Sequence, residues 1–494
     1  MSKKKIIRIS LYIALLTFVV LDLQHSFGQY CAATLDGDIA ESVVPSPEAQ
    51  KILDDPTGIQ TIVNNDKHLG PNRFFSHYFV HKTFRTFPQL LQNFCDPVQS
   101  VYLTSAIAKL IMQITILLLM TTIIVGRFNL FSLQFIATAA ILIPFFQTNG
   151  WELILQIGII DISITYCFFY ALPAIFLLLY YLPIFLESMH GRVMKMKWYF
   201  IILWIILIFL ACFSGPLNTP IILITNAILC THLFCKAWQT VKNQSFFKKT
   251  WTTLQTISKR NYLFFIPITL VALYSFFLGT YNNAYNDIQL SLKEMLSILP
   301  QGIWNTFTST GYLIMVFLLF TNYLIIYLKY NDTPESKKIF GLYRFLLIFS
   351  LIFLLLLPLG GFRPYRPFFL RYDTIIPVTL LSIITIGYAT LFIIKQLLPE
   401  KWSSLKIIYP TLILFFSIYF TIKDKIYVYN DVEKASLYLI ANSKEDIVAL
   451  DNDNAIVAWA PIYDPAESRG NAELLRIWNI TDTLRLYYNS PSSK

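Results

Sequence analysis

WYFIILWIILIFLACFSGPLNTPIILITNAILCTHLFC, residues 198–235, runs for 38 positions without a charged side chain. A helix needs about 20 apolar residues to cross about 30 Å of hydrocarbon. The stretch is therefore long enough to cross twice. SGPLNTP, at 214–220, supplies glycine, proline and asparagine for a tight turn between the two crossings. The same reading extends to LIMQITILLLMTTIIVG (110–126), ISITYCFFYALPAIFLLLYYLPIFL (162–186), FLLIFSLIFLLLLPLGGF (345–362) and TIIPVTLLSIITIGYATLFII (374–394). The whole chain of 494 residues is 55% hydrophobic and only 14% charged, with mean hydropathy +0.56. Soluble domains carry about 25% charged residues. Period-two alternation over short segments is absent, which argues against an outer-membrane barrel. The expected fold class is an all-α polytopic membrane protein with about 11 transmembrane helices, at 6–21, 101–125, 131–146, 163–186, 199–215, 219–235, 262–278, 312–328, 343–359, 374–394 and 406–422.

Charge sets the expected orientation. The chain begins MSKKKIIR, which the positive-inside rule places in the cytoplasm. Alternate links then read GRFN, ESMHGRVMKMK, KAWQTVKNQSFFKKTWTTLQTISKR, KYNDTPESKKIFGLYR and KQLLPEKWSSLK. Together with the N-terminus they hold 21 of the 39 Lys and Arg residues. The opposite links 147–162 and 216–218 hold none, and 279–311 holds only Lys293. The expected location is an integral membrane protein of the bacterial inner (cytoplasmic) membrane, N-terminus inside and C-terminus outside. KKKIIR followed by LYIALLTFVV also fits a cleavable secretory signal, with SFG at 26–28 as the cleavage site. Cleavage would leave ten helices and move none of the others. The net charge of +10 is explained by these lysine-rich links, and no motif for nucleic acid accompanies it.

Two domains follow: residues 1–422, the transmembrane domain including a first outer loop at 22–100, and 423–494, a small extracytoplasmic α/β segment. The loop has helix-like patches in PEAQKILDD and HYFVHKTFRTFPQLLQNF. The tail has strand-like IVAL and AIVAWA and a helix-like NAELLRIW, with too few apolar residues for a large core of its own. An amphipathic helix is expected within 282–304 and another at WELILQIGI (151–159). Cys31 and Cys95 share the first outer loop, where an oxidising compartment allows a bridge; the other four cysteines fall in spans and pack there. NIT (479–481) is an outer sequon, and CxxC, HExxH and P-loop patterns are absent.

Polar residues that could carry chemistry gather on the outer side. CAATLDGDIAES puts Asp36 and Asp38 in a tight turn shortly after the first helix, which Gly37 permits and which lets both carboxylates face one cavity, with Glu41 following. A carboxylate there can act as a general base or hold a divalent cation. Its bland alternative is a solvated Asp-Gly turn. PNRFFSHYFVHKTFR carries Asn72, Arg73, His77, His81 and Arg85. The last three share a helical face by their i, i+4, i+8 spacing. That face is expected to meet a cavity or lipid headgroups rather than a metal, since no third ligand is adjacent. Asp161 sits at the outer end of the fourth span. RPYRPFFLRYD (363–373) places Arg363, Arg366, Arg371, Tyr372 and Asp373 on an outer link, against the charge bias of the chain. Its prolines stiffen an extended backbone, and arginine forks onto phosphate oxygens. Anionic lipid headgroups or pairing with Asp373, Asp36 or Asp38 are the alternatives.

This arrangement resembles the GT-C superfamily of polytopic glycosyltransferases, which includes protein O-mannosyltransferases, lipid A aminoarabinose transferases and oligosaccharyltransferase catalytic subunits. The resemblance rests on the inside N-terminus, the long first outer loop with Asp36-Gly37-Asp38, the number of spans and the outer tail, and it covers the whole chain. It implies an inverting transfer of a sugar from a polyprenyl-phosphate donor to a glycan, lipid or protein acceptor, outside the cytoplasm. It implies catalytic roles for Asp36 and Asp38. It also implies donor binding by Arg363, Arg366, Arg371 and Tyr372, with Arg73 and His77 lining the substrate site. The His-Pro-Pro-type element common in such loops is absent; PNRFFSHYFVH stands in its region. A lipid-linked sugar needs no nucleotide pocket, and none is visible; no cofactor is assigned, and a divalent cation stays open. Membrane lipids are expected partners and nucleic acid is not. A membrane transporter, or a non-catalytic component of a surface-polysaccharide assembly system, are the rival classes. Transporters place charges near the midplane and show internal repeats, and neither feature is seen here.

Overall fold

The structure, a computed structural model, describes residues 3–146, 148–149, 157–193, 197–242, 244–283, 290–360, 368–399, 403–425 and 429–490. Along the chain come α1 (Lys3–Ala32), α2 (Asp38–Val43), α3 (Pro47–Asp54), α4 (Ile59–Val63), α5 (Phe74–Leu91), α6 (Pro97–Val125) and α7 (Leu133–Leu142). The two-residue strand β1 (Thr148–Asn149) pairs in parallel with β2 (Ile160–Asp161). Next, α8 (Ile164–Tyr166) passes through a π-helical turn, Cys167–Ala171, into α9 (Leu172–His190). The bundle continues with α10 (Trp198–Cys212), α11 (Asn218–Thr240), α12 (Phe246–Thr256), α13 (Lys259–Leu278) and α14 (Leu292–Phe307). It closes with α15 (Thr310–Lys329), α16 (Pro334–Leu356), α17 (Ile376–Leu397) and α18 (Leu405–Lys423). The tail holds α19 (Asp431–Asn442), β3 (Ile447–Leu450), α20 (Arg469–Ile477) and β4 (Leu486–Asn489).

The chain is an α-helical polytopic protein. Among the described residues, nine helices are long and apolar enough to cross a membrane. Leu133–Phe145 and Trp198–Cys212, which fall in two further expected spans, are apolar but shorter. Local chemistry fixes the ends. Asp96 caps α6 by accepting from the Gln99 amide at 3.0 Å, with Pro97 next to it, and Gly126 ends that helix in a left-handed conformation. The Gly-Pro turn inside the opening stretch forms as expected. Gly215 adopts φ +148, which disfavours any side chain, and the Asn218 side chain donates to the Ala211 carbonyl at 2.8 Å, tying α10 to α11.

α17 lies at the centre, packed against α6, α7, α15 and α16, and is the most enclosed of the apolar helices. Tyr409 donates to Asn322 at 2.7 Å, and the Asn322 amide donates to Thr390 at 3.1 Å, so α15, α17 and α18 share polar bonds where water is absent. Exposed apolar residues such as Ile202, Leu270, Phe320, Leu351 and Phe415 form the outer belt of the bundle.

The lysine-rich links gather at one end. His190 bonds the Ile123 carbonyl at 2.8 Å, Arg192 donates to the Gly126 carbonyl at 2.6 Å, and Lys338 donates to the Met189 carbonyl at 3.1 Å. Arg260 pairs with Glu187 there. The first polar segment and the tail meet at the other end. Trp478 is fully buried; its Nε1 donates to the Phe84 carbonyl at 2.9 Å, and Gln92 donates to the Trp478 carbonyl at 2.7 Å.

Three local expectations change. IVAL forms β3, but AIVAWA is not a strand. The Val457 amide donates to Glu433 and its carbonyl accepts from Asn471, while the Ile456 carbonyl accepts from Tyr487, so side chains take the bonds a neighbouring strand would need. The partner of β3 is instead Leu486–Asn489, in parallel register. Cys31 and Cys95 are free thiols: Cys31 lies on the last turn of α1, while the Cys95 thiol turns back on the Leu91 carbonyl at 3.4 Å. Cys230 and Cys235 are exposed rather than packed, whereas Cys167 and Cys212 are buried. The helix expected in 282–304 is α14, opened by a Ser291–Glu294 capping box. Of WELILQIGI, residues 151–156 lie outside the described residues, as do Arg363 and Arg366.

Trp478 therefore anchors the tail on α5. Trp478→Ala should lose about 3–5 kcal/mol of local docking. Limited proteolysis should then cut selectively between α18 and α19 while the bundle stays protected; an unchanged digestion pattern contradicts this anchoring.

Candidate functional site

The polar end of the bundle is built outward from the end of α1. Asn430 donates from its backbone to the Ala32 carbonyl and from its side chain to the Cys31 and Ala33 carbonyls. The Leu35 amide donates to Glu433 at 3.0 Å. These bonds fix the approach to Asp36, which is buried. Asp36 accepts from the Thr165 hydroxyl at 2.6 Å, the Thr165 amide at 3.1 Å and the Asp38 amide at 3.2 Å. Asp38 turns another way: its Oδ1 accepts from Trp459 Nε1 at 2.7 Å. A Cβ at position 37 would meet Trp459 at 2.6 Å, so only glycine lets the tail close over this turn. The two carboxylates expected to face one space thus diverge, Asp36 into the bundle and Asp38 toward the tail.

Asp36 has buried neighbours. Asp161, at the end of β2, accepts from the Ser163 amide at 2.7 Å, and its Oδ2 has no hydrogen-bond donor in good geometry among the described residues. The Tyr372 hydroxyl lies close enough to interact with it. Burial pushes the Asp161 carboxyl up to about 7, the negative charge of Asp373 adding to the effect and Lys109 opposing it. Asp373 is buried too, paired with Arg371 at 2.9 Å and accepting from the Thr374 amide at 2.7 Å. Burial, then the charges of Asp161 and Asp373, raise the Tyr372 phenol far above its ordinary value, so it stays a donor.

The cation among these carboxylates is Lys109, fully buried on α6. It donates to the Ile162 carbonyl, lies 5.9 Å from the Tyr30 ring centre, and is attracted by Asp36 and Asp161. Lys109 was not among the expected site residues. The signal was present: an ionisable side chain at the head of the apolar run 110–126. Glu433 was also missed. It accepts from Leu35, from Val457 at 2.9 Å and from the Tyr102 hydroxyl at 2.7 Å, and burial pushes its carboxyl up to about 7.

The remaining expected residues fall as follows. His77 is packed 4.9 Å from the Phe169 ring, and burial, helped by the Arg73 charge, pushes it down to about 3, so it is neutral. His81 meets the Ser42 carbonyl at 3.3 Å and Arg85 donates to the Val43 carbonyl at 3.2 Å, so that part of the helical face closes the end of α2. Arg73 starts α5, and Asn72 donates to the Ser275 carbonyl at 3.2 Å. Glu41 accepts from Ser46. Among the described residues no group of three or more His, Cys, Asp or Glu is arranged to hold a metal ion.

A groove of about 760 Å³ runs from this end down the bundle between α9, α11, α16 and α17. Asp373, Asn218, Phe169 and Tyr170 line its near end; the last two come from the π-helical turn, a feature common at functional sites. Along α16 it reaches from Ile352 to Lys338, about 21 Å at 1.5 Å per residue. Its walls are mostly aliphatic and aromatic. Compared with family models, with curated proteins and with solved structures, the chain matches none.

Asp161 and Glu433 hold protons in the folded protein that the unfolded chain releases near its ordinary carboxyl values of 3.8 and 4.5. Their contribution to stability is complete below about pH 4 and is lost as pH rises through about 7. The unfolding midpoint in detergent should fall across that window. Asp161→Asn combined with Glu433→Gln should flatten the fall; an identical slope in the double variant contradicts the assignment.

Proposed function

We propose that the protein is an inverting glycosyltransferase of the GT-C kind, moving a sugar from a polyprenyl-phosphate donor to an acceptor hydroxyl. The observation that carries this reading is a buried carboxylate cluster, with its lysine and an arginine, at the mouth of an apolar groove long enough for a lipid tail. A lipid-linked donor needs both parts: apolar length for the chain and cations near the phosphate. The reading orients the lysine-rich end to the cytoplasm by the positive-inside rule, in a bacterial inner membrane, with eleven crossings that count the two shorter apolar helices.

In this reading Asp38 is the base, because it is the more accessible of the pair, and Asp36, fixed by Thr165, orients the turn. The acceptor oxygen attacks the anomeric carbon as the bond from that carbon to the phosphate oxygen breaks. The acceptor proton passes to Asp38, and the polyprenyl phosphate leaves with the electron pair. A single displacement inverts the anomeric centre. Arg371, with Arg363 and Arg366 on the same link, offsets the charge developing on the phosphate. In this reading Tyr372 donates a hydrogen bond to the donor phosphate, and Arg73 and His77, the latter 4.9 Å from the Phe169 ring at the near end of the groove, belong to the substrate site.

Purified protein in proteoliposomes, supplied with polyprenyl-phosphate sugars and saccharide, lipid or peptide acceptors, should transfer sugar. Asp38→Asn should lower the rate by about 10²-fold or more, and Arg371→Ala by a comparable factor. Undiminished transfer by a folded Asp38→Asn protein removes the base role. Absence of transfer from every polyprenyl donor by the wild type removes the reading.

A further inference from the structure

The groove has a second end, and that end is electropositive. Where it reaches the lysine-rich face it is lined by Ser188, Thr231, His232, Lys338 and Arg344. Among the described residues on its walls the one acidic side chain, Asp373, belongs to the opposite end. Lys338 donates to the Met189 carbonyl, and its charge is joined around His190 by those of Arg192 and Lys395. One carboxylate, Glu335, lies within reach of Lys395.

Arg344 is the informative residue. It directly precedes the charge-free run 345–362, so its guanidinium sits at headgroup depth. It is exposed and forms no hydrogen bond or ion pair among the described residues. Lys338 lies six residues earlier on α16, about 9 Å along the axis. Around and beyond them, Leu342, Phe345, Phe349, Ile184, Phe185 and Leu178 give the groove apolar walls. A ligand matching this end carries an anion at headgroup depth and an aliphatic chain along the bundle. Arginine can fork onto two phosphate oxygens while lysine adds a point charge. Basic pockets between membrane helices select anionic headgroups on this principle.

We propose that this end of the groove is a binding site for an anionic phospholipid drawn from the leaflet at the lysine-rich face. Its phosphate lies on Arg344 and Lys338, and one acyl chain runs between α9, α11 and α16. The site is separate from the carboxylate end and does not depend on sugar transfer there.

Gly341 provides a test that leaves every charge in place. It lines the groove mouth, and a Cβ built on it meets nothing within 4 Å, so a larger side chain enters open space. Full-length protein is delipidated in neutral detergent and titrated with phosphatidylglycerol, phosphatidylcholine or inorganic phosphate. Bound lipid is counted by native mass spectrometry, and the thermal midpoint is followed in parallel. The wild type should retain one phosphatidylglycerol and gain thermal stability, with phosphatidylcholine and phosphate doing neither. Arg344→Gln with Lys338→Gln should weaken retention about tenfold or more. Gly341→Phe should do the same while melting like the wild type without lipid. Lys248→Gln with Lys249→Gln, on α12 of the same face but outside the groove, should change nothing. Equal retention of phosphatidylcholine, equal stabilisation by phosphate alone, an equal loss in the α12 variant, or full retention by Gly341→Phe would each overturn the proposal.

Discussion

A lysine taken out of water must be compensated where it lies, because an unpaired buried charge costs several kcal/mol. Lys109 is that lysine, and satisfying it organises the polar end of the bundle. Its ammonium is bonded to the Ile162 carbonyl and attracted by Asp36 and Asp161. Those groups come from the link after α1 and the link before α8, far from α6 in sequence. Once both carboxylates turn toward one cation, Thr165 stands where it can donate twice to Asp36. The π-helical turn that follows then carries Phe169 and Tyr170 to the mouth of the groove.

The tail is held by a second buried ionisable side chain, the Glu433 carboxyl. Glu433 binds the Leu35 amide one residue before Asp36 and the Tyr102 hydroxyl on α6, so α19 is wired to the same two segments that hold the carboxylate cluster. Trp459 then closes over Gly37 and bonds Asp38. The ring of Tyr166, 5.7 Å away, continues that wall into the bundle. The tail therefore builds part of the site, and the turn geometry of Asp36 and Asp38 depends on its docking.

Membrane helices were legible because length and composition act locally: 38 uncharged residues with a Gly-Pro interruption can hardly do anything else. The grouping of lysine-rich links was legible for the same reason, since charge counts do not need a fold. Tertiary wiring was not. AIVAWA has the composition of a strand, yet Glu433, Asn471 and Tyr487 take its backbone groups, and none of these lies beside it in sequence. LYYN, Leu486–Asn489, is the strand that pairs with IVAL, from the far end of the tail. The histidine face of α5 was visible as a pattern, but not that His81 and Arg85 would bond the carbonyls at the end of α2. Lys109 could have been singled out by its place at the head of an apolar run. Glu433 could not, because its partners assemble only in three dimensions.

Lys109 and Arg344 pose the same electrostatic problem at opposite ends of the molecule, and the fold answers them differently. Each precedes a charge-free run, Lys109 eight residues inside the expected span 101–125 and Arg344 at the start of 343–359. Lys109 is enclosed and neutralised by carboxylates of the chain itself, so its charge is consumed in holding three segments together. Arg344 is left exposed beside an apolar groove with no ion pair among the described residues. A guanidinium at the edge of hydrocarbon draws an anion of the membrane when the protein offers none. The groove between the two ends is one continuous, mostly apolar space bounded by the same four helices. The asymmetry is between a cation satisfied by the chain itself and one with no ion pair among the described residues, and it separates the end that the fold needs from the end where we propose a lipid.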